Sequence, residues 1–319
     1  RLSLVGSEMC IRDSNIIIRD NVMWNLTTGF DIEGTTLIHN DIIISNNKIY
    51  TNETSMTFDD VHGLSLFNNT IFSQSSGLVL TGSVDVVVLD NDFEVSRNGL
   101  ISLDSTGNFT GNSITGSCKE IDCKTVYFTE VALSGIKLLD RSEFTIERNN
   151  LTNFDTSINI TNSNGMASFN KLDLSNIGIS IYSSQDYLAS NNILTNSITP
   201  VKVQDSEDIS LSNNNISHFL VGIKTLNSTI DLVSNNFQNG ELCLEFIDSE
   251  YSLPDYDNFD CSDSYVYVKY NVRIKILTDD GIPSPNHQYY YYNDFESEKK
   301  YSQTNLDAVS YTHLTLPTK

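Results

Sequence analysis

The residues able to do chemistry are few and unevenly spread. Across 319 residues, Asp and Glu outnumber Lys and Arg by 41 to 19, beside five His and five Cys. Hydrolysis of a glycosidic bond needs two carboxyls, ~5 Å apart for retention or ~6.5–9.5 Å apart for inversion. Asp59 and Asp60 are neighbours and offer hard oxygen donors of the kind a weak Ca2+ site uses, although loop acids more often face water or cap a turn. His39, His62, His218 and His287 each stand apart from a second soft donor. No zinc or copper site is therefore expected, and no other cofactor.

The cysteines form two groups once Cys10, in an aberrant terminal stretch, is set aside. Cys118 and Cys123 flank four residues, and Cys243 and Cys261 lie about one structural repeat apart. An even number in a β-rich chain suggests disulfides and export, with free thiols as the alternative. A Cys118–Cys123 bridge would pin a loop whose Lys119, Glu120 and Asp122 are candidate binding residues.

The net charge of −22 argues against nucleic acid, which needs a basic footprint, and against an anionic membrane surface. It fits cations or neutral glycans as partners. The longest apolar runs, at Ile16 and Ile42, are too short to span a bilayer.

These side chains must be positioned by a repeat. An Asn followed two residues later by a large apolar residue recurs at Asn21, Asn47, Asn69, Asn91, Asn112, Asn149, Asn170, Asn191, Asn214 and Asn235, with Asp257 as a variant copy. The step is close to 22 residues, apart from 26 between Asn21 and Asn47 and 37 between Asn112 and Asn149. Five and three residues before most copies stand apolar residues, such as Ile42 and Ile44, or Ile209 and Leu211, separated by a polar or small one. That alternation is a strand with one buried face. A second column, Gly77, Gly99, Gly135, Gly178 and Gly222, keeps the same period and is expected to mark corners with positive φ.

Short strands recurring without a helix predict an all-β fold. The expected form is a single-stranded right-handed parallel β-helix of about 10–11 coils of ~22 residues, stacked ~4.8 Å apart. An inward Asn at one corner of every coil would form a hydrogen-bonded ladder. The β-helix is expected over 15–261, with an insert loop at about 116–130. A truncated β-sandwich-like segment follows over 262–307.

The Gly-apolar-x-apolar strand and the Asn-x-[Ile/Phe] turn resemble the parallel β-helix repeat of NosD-like and pectin-lyase-like proteins. Residues 272–283 resemble the opening strands of a carboxypeptidase regulatory-like or immunoglobulin-like domain, with Val272, Ile274 and Ile276 alternating before Asp279-Asp280-Gly281. The pectin-lyase-like resemblance implies a polysaccharide lyase or hydrolase if acids are stacked on one face. Arg273-Ile274-Lys275 matches the RIK of polygalacturonases and His62-Gly63 echoes their GHG, but the two lie in different parts of the chain and are read as coincidence.

Six positions before the ladder Asn lies a polar column containing Asp41, Asp85, Glu143, Gln185 and Asp208. Its acids rarely fall on adjacent coils, and Asp41 and Asp85 would be about 10 Å apart, so no catalytic dyad is expected there.

The two ends leave the repeat. One codon spelling of Glu8–Ser14, reverse-complemented, translates as Ala308–Leu314. Residues 1–14 and 308–319 are therefore read as translated sequencing adaptor, and the rest as a piece of a longer reading frame.

The expected function is an exported or cell-surface scaffold, adhesin or glycan-binding module, monomeric and without membrane insertion. Its partner would be a polysaccharide or cell-surface glycan. The alternative is a polysaccharide lyase or glycoside hydrolase acting on an exterior groove.

Overall fold

The computed structural model describes residues 16–33, 41–117, 133–252, 258–275, 288–291, 300–303 and 309–318. Among them every regular element is a strand. The chain winds as a right-handed parallel solenoid of about ten turns, with roughly 22 residues per turn. Eleven strands stack on the first face, and a 17-stranded sheet forms the other two.

One coil shows the plan. Ile42–Ser45 lies on the first face, Lys48–Thr51 on the second and Met56–Asp59 on the third. From Asn150–Thr161 onward the second and third faces merge into 12-residue strands. The alternation read from the sequence is the inside–outside pattern: Ile42 and Ile44 are fully buried, as are Ile49, Met56 and Phe58. The core is one column of such residues running the length of the rod.

Two corners flank the first face, and each begins with a residue in the left-handed region. At the corner leaving that face these residues include Asn46, Asn68, Asp90, Arg148, Phe169, Asn191 and Asn213, with φ from 52° to 56°. Each precedes a ladder Asn. The left-handed turn therefore belongs to the neighbour of the ladder Asn, where Asn and Asp are favoured because they tolerate positive φ.

The ladder itself is continuous. Asn47 N–H and Nδ2 both donate to Asn69 Oδ1, at 3.0 and 3.1 Å, and Nδ2 also donates to the Ile18 carbonyl of the preceding coil at 3.0 Å. Each internal amide thus ties three successive coils. The pattern passes unbroken over the 37-residue step, where Asn112 N–H donates to Asn149 Oδ1 at 2.9 Å.

One ladder position differs from the sequence expectation. Asn192, not Asn191, is the ladder residue: Asn170 N–H donates to Asn192 Oδ1, and Asn192 N–H to Asn214 Oδ1, both at 3.0 Å. Asn191 is exposed at the left-handed corner, φ 55°, and Leu194 rather than Ile193 is buried. The segment Asn191-Asn192-Ile193-Leu194 satisfies the motif in two registers, and stacking selects the one with two equal 22-residue steps.

The Gly column also needs a correction. Gly77, Gly99, Gly135, Gly178 and Gly222 do not have positive φ; among the described residues the positive-φ glycines are Gly63, Gly82, Gly111 and Gly165. The column is small because coils approach closely there. A Cβ on Gly77 would sit 2.7 Å from the Gly99 carbonyl oxygen, and one on Gly135 2.6 Å from that of Ser157.

At the far end, strand Asn258–Lys275 pairs with the preceding coil as far as Lys269, so the boundary expected at residue 261 falls within one strand. Over Val266–Lys275 it also pairs antiparallel with Val309–Thr318. Cys243 and Cys261 form a disulfide between these last coils, with Cα atoms 5.8 Å apart.

Candidate functional site

Cys118, Cys123, Lys119, Glu120 and Asp122, the expected binding loop, lie outside the described residues. So do Asp257, His39 and His287. The candidate sites are therefore sought on the described outer faces.

The corner entering the first face carries a feature the sequence reading missed: a serine ladder. Ser184 N–H donates to Ser206 Oγ at 3.2 Å, Ser206 N–H to Ser228 Oγ at 3.1 Å, and Ser228 N–H to Ser249 Oγ at 3.2 Å. Each hydroxyl donates to the carbonyl two residues back, as Ser206 does to Gln204 at 2.8 Å. The signal was present in the sequence as Ser83, Ser105, Ser142, Ser163, Ser184, Ser206, Ser228 and Ser249, most of them preceded by Asp, Asn or Gly.

Outside this ladder runs a groove of about 500 Å3 lined by Arg141, Glu143, Asn164, Gln185, Asp205 and Glu207, among others. Of its acids, Asp205 and Glu207 stand two residues apart on one coil and Glu143 lies further along the rod. Glu143 and Glu207 belong to coils three apart, about 14 Å along the axis, beyond either hydrolytic spacing. Arg141 reaches away to Asp104 at 2.8 Å. Hydrogen bonds from Asn227 and Gln204 hold the Asp205 carboxyl below the usual carboxylate range.

The corrected register changes the acid column. Asp186, not Gln185, stands six residues before the ladder Asn, so Asp186 and Asp208 occupy adjacent coils. Both are exposed left-handed corner residues. A general acid needs an environment that keeps its proton near neutral pH, which burial supplies and full exposure does not. The pair has catalytic spacing without catalytic surroundings.

A different arrangement lies on the outer side of the second face. Three residues after the ladder Asn come Trp24, Tyr50 and Phe72 on successive coils. Trp24 and Tyr50 stack at 5.3 Å between ring centroids, and Tyr50 and Phe72 at 4.7 Å with planes 4° apart. Trp24 is 70% exposed. The stack borders a groove of about 380 Å3 whose other wall holds Asn25, Asn52, Gln74, Ser96 and Ser117. Glu94 takes the aromatic position on the fourth coil. An apolar surface facing amides and hydroxyls is a common composition for a small-molecule or sugar site. The pattern of Asn21-x-x-Trp24, Asn47-x-x-Tyr50 and Asn69-x-x-Phe72 was visible in the sequence, but reading for inward residues passed over it.

Metal donors do not converge. Among the described residues no three His, Cys, Asp or Glu side chains are placed to hold one ion. Cys243 and Cys261 are joined as a disulfide, which removes their thiolates as ligands. His218 is exposed at a corner.

Comparison with known proteins adds the family. Residues 5–125 match the model of the right-handed β-helix region, and residues 119–259 that of the periplasmic copper-binding protein NosD. The described residues assemble no donor set for copper of the kind that second name implies. No curated protein matches the chain.

Solved structures show likeness at low identity. The periplasmic alginate epimerase AlgG shares 13% identity and a TM-score of 0.33, covering 77% of this chain and 60% of its own. The A-module of the Azotobacter vinelandii mannuronan C-5 epimerase AlgE6 shares 12% and 0.40, covering 79% and 80%. A tailspike protein of E. coli bacteriophage HK620, solved with a pentasaccharide, shares 8% and 0.43, covering 94% and 86%. The chain spans about three-fifths of AlgG, and similarity at this level says nothing about activity. The repeat, the two ladders and the matched family models together place the chain among the right-handed parallel β-helix repeat proteins.

Proposed function

We propose that this β-helix is a non-catalytic glycan-binding scaffold, exported to the cell envelope or beyond and acting as a monomeric rod. The observation that carries the reading is the outer stack of Trp24, Tyr50 and Phe72 against a polar wall. Stacking of coils requires apolar residues inside. It does not require aromatic side chains at one outward position of three successive coils, and aromatic ridges with polar rims mark binding surfaces. The Cys243–Cys261 disulfide supports an oxidising compartment, and the match to a family described as periplasmic is consistent with it. The exposure of Glu143, Asp205 and Glu207 in the larger groove supports binding without turnover.

Sedimentation with a panel of insoluble polysaccharides tests this, paired with an assay of the supernatant for new reducing or unsaturated ends. The proposal expects retention on at least one polysaccharide with no product. Sustained product release would overturn it in favour of an exterior-groove hydrolase or lyase. Asp208→Asn would then test whether the Asp186–Asp208 pair on adjacent coils carries that turnover.

A further inference from the structure

We infer that the groove beside Trp24, Tyr50 and Phe72 selects an uncharged polysaccharide, lying along the rod axis, and rejects polyuronates. The inference rests on the glycan-binding reading and narrows it to a substrate class.

The ring geometry sets where a sugar can sit. Tyr50 and Phe72 lie face to face on successive coils, so their planes face along the rod and their edges face outward. The stack ends at Phe72, because the next coil places Glu94 in that column. Beyond Phe72 the lining continues with Glu94, Ser96 and Ser117. A strip of aromatic ring edges beside amides and small hydroxyl residues suits a flat body with an apolar face and a polar rim. A pyranose ring has that form: axial C–H groups on one face and hydroxyls around its edge. Asn52 and Gln74, which both donate and accept, face the rim. The lining runs from Trp24 to Ser117 across five coils, roughly 19 Å at the inter-coil spacing, so the site is longer than one sugar.

Charge then chooses among glycans. Among the described residues lining the groove there is no Lys or Arg, whereas Glu94 is one of them. Lys48 stands two residues before Tyr50 on the same strand and flanks the groove without lining it, and Asp92 occupies its column two coils on. The chain as a whole carries −22. A polyuronate would bring one carboxylate per sugar toward Glu94 with no cation among the described lining residues to meet it, and like charges set against each other oppose binding strongly. Uncharged hydroxyl or acetamido groups meet no such barrier.

The test is calorimetric titration of the intact protein with neutral gluco-, manno- and N-acetylglucosamine oligosaccharides, and in parallel with oligomannuronate and oligogalacturonate, at low and high salt. The expected result is saturable binding of a neutral series with little salt dependence, and none of the uronates. Phe72→Ala should weaken the neutral ligand about tenfold or more. Trp24→Ala should do likewise, and its exposed side chain can be removed without threatening the fold. Glu94→Lys should admit a uronate chain. Binding of uronates by the wild-type protein, equal to or tighter than neutral chains, would overturn the charge inference while leaving glycan binding intact. Neutral binding unaffected by both aromatic substitutions would place the site elsewhere and overturn the inference. Failure of every oligosaccharide to bind would remove the glycan-binding reading itself.

Discussion

Asn47 and Tyr50 lie three residues apart on the same coil, one inside the rod and one outside, and both belong to columns that repeat from coil to coil. The inner column extends from Asn21 to Asn235, with Asn or its equivalent on each coil. The outer one is aromatic for three coils and then becomes Glu94 and Thr115. The difference follows from what each column does. Inside, every coil has the same unsatisfied N–H and carbonyl groups at its corner, and only a side chain with both donor and acceptor meets them. Outside, water satisfies polar groups, so no residue type is imposed. A local run of one kind on the outside therefore reports on a use other than stacking.

Substitutions at the two columns should have opposite consequences. The largest loss of stability is expected for Asn149→Ala. It leaves the Asn112 N–H and the Phe109 carbonyl without their buried partner, at about 1–3 kcal/mol for each orphaned group, or roughly 4 kcal/mol together. Chemical denaturation should show the midpoint falling steeply; a shift below about 1 kcal/mol would mean the ladder is not a source of stability. Cys243→Ser comes next, because it opens an 18-residue connection between the last coils; a loss of about 2–3 kcal/mol is expected, visible as proteolysis that begins at the C-terminal coils. Ser206→Ala should cost about 1–2 kcal/mol, since it orphans the Ser184 N–H while the Gln204 carbonyl keeps the Ser183 N–H as a donor. Equal losses at Asn149 and Ser206 would contradict the view that an amide binds three coils and a hydroxyl two.

The smallest effect is electrostatic. Asn227 and Gln204 hydrogen-bond the Asp205 carboxylate and lower its pKa in the folded chain. A group depressed in this way contributes stability above its unfolded pKa and loses it as pH falls through the folded value. Asn227→Ala should raise the Asp205 pKa toward normal, measurable by carboxyl NMR titration, and flatten the acid limb of stability slightly. Asp205 is exposed, so the thermodynamic effect should be slight even where the titration shift is clear.

Much of the fold was legible because stacking repeats one physical problem in every coil. Asn47, Asn69 and Asn91 recur at equal steps since each solves the same corner, and Ile42 with Ile44 shows the strand facing inward. The register slipped only at Asn191-Asn192, where Asn suits both the left-handed corner and the ladder, so composition alone could not choose between them. That slip also separated Asp186 from Asp208. The Gly column was visible, but its cause was not: the close approach of Gly77 to the Gly99 carbonyl is a property of two coils, and φ cannot be read from one. The outer stack was the least legible, because Trp24, Tyr50 and Phe72 lie 26 and 22 residues apart and meet only once the register is known.

The most direct test of the contrast is the double variant Trp24→Ala, Tyr50→Ala, measured for both thermal stability and retention on the polysaccharide that the wild-type protein binds. The expected result is a melting temperature close to wild type, the change staying within about 1 kcal/mol, together with loss of retention. A cooperative loss of stability as large as that of Asn149→Ala, or full retention by a folded double variant, would contradict the claim that the outer stack binds ligand rather than holding the rod together.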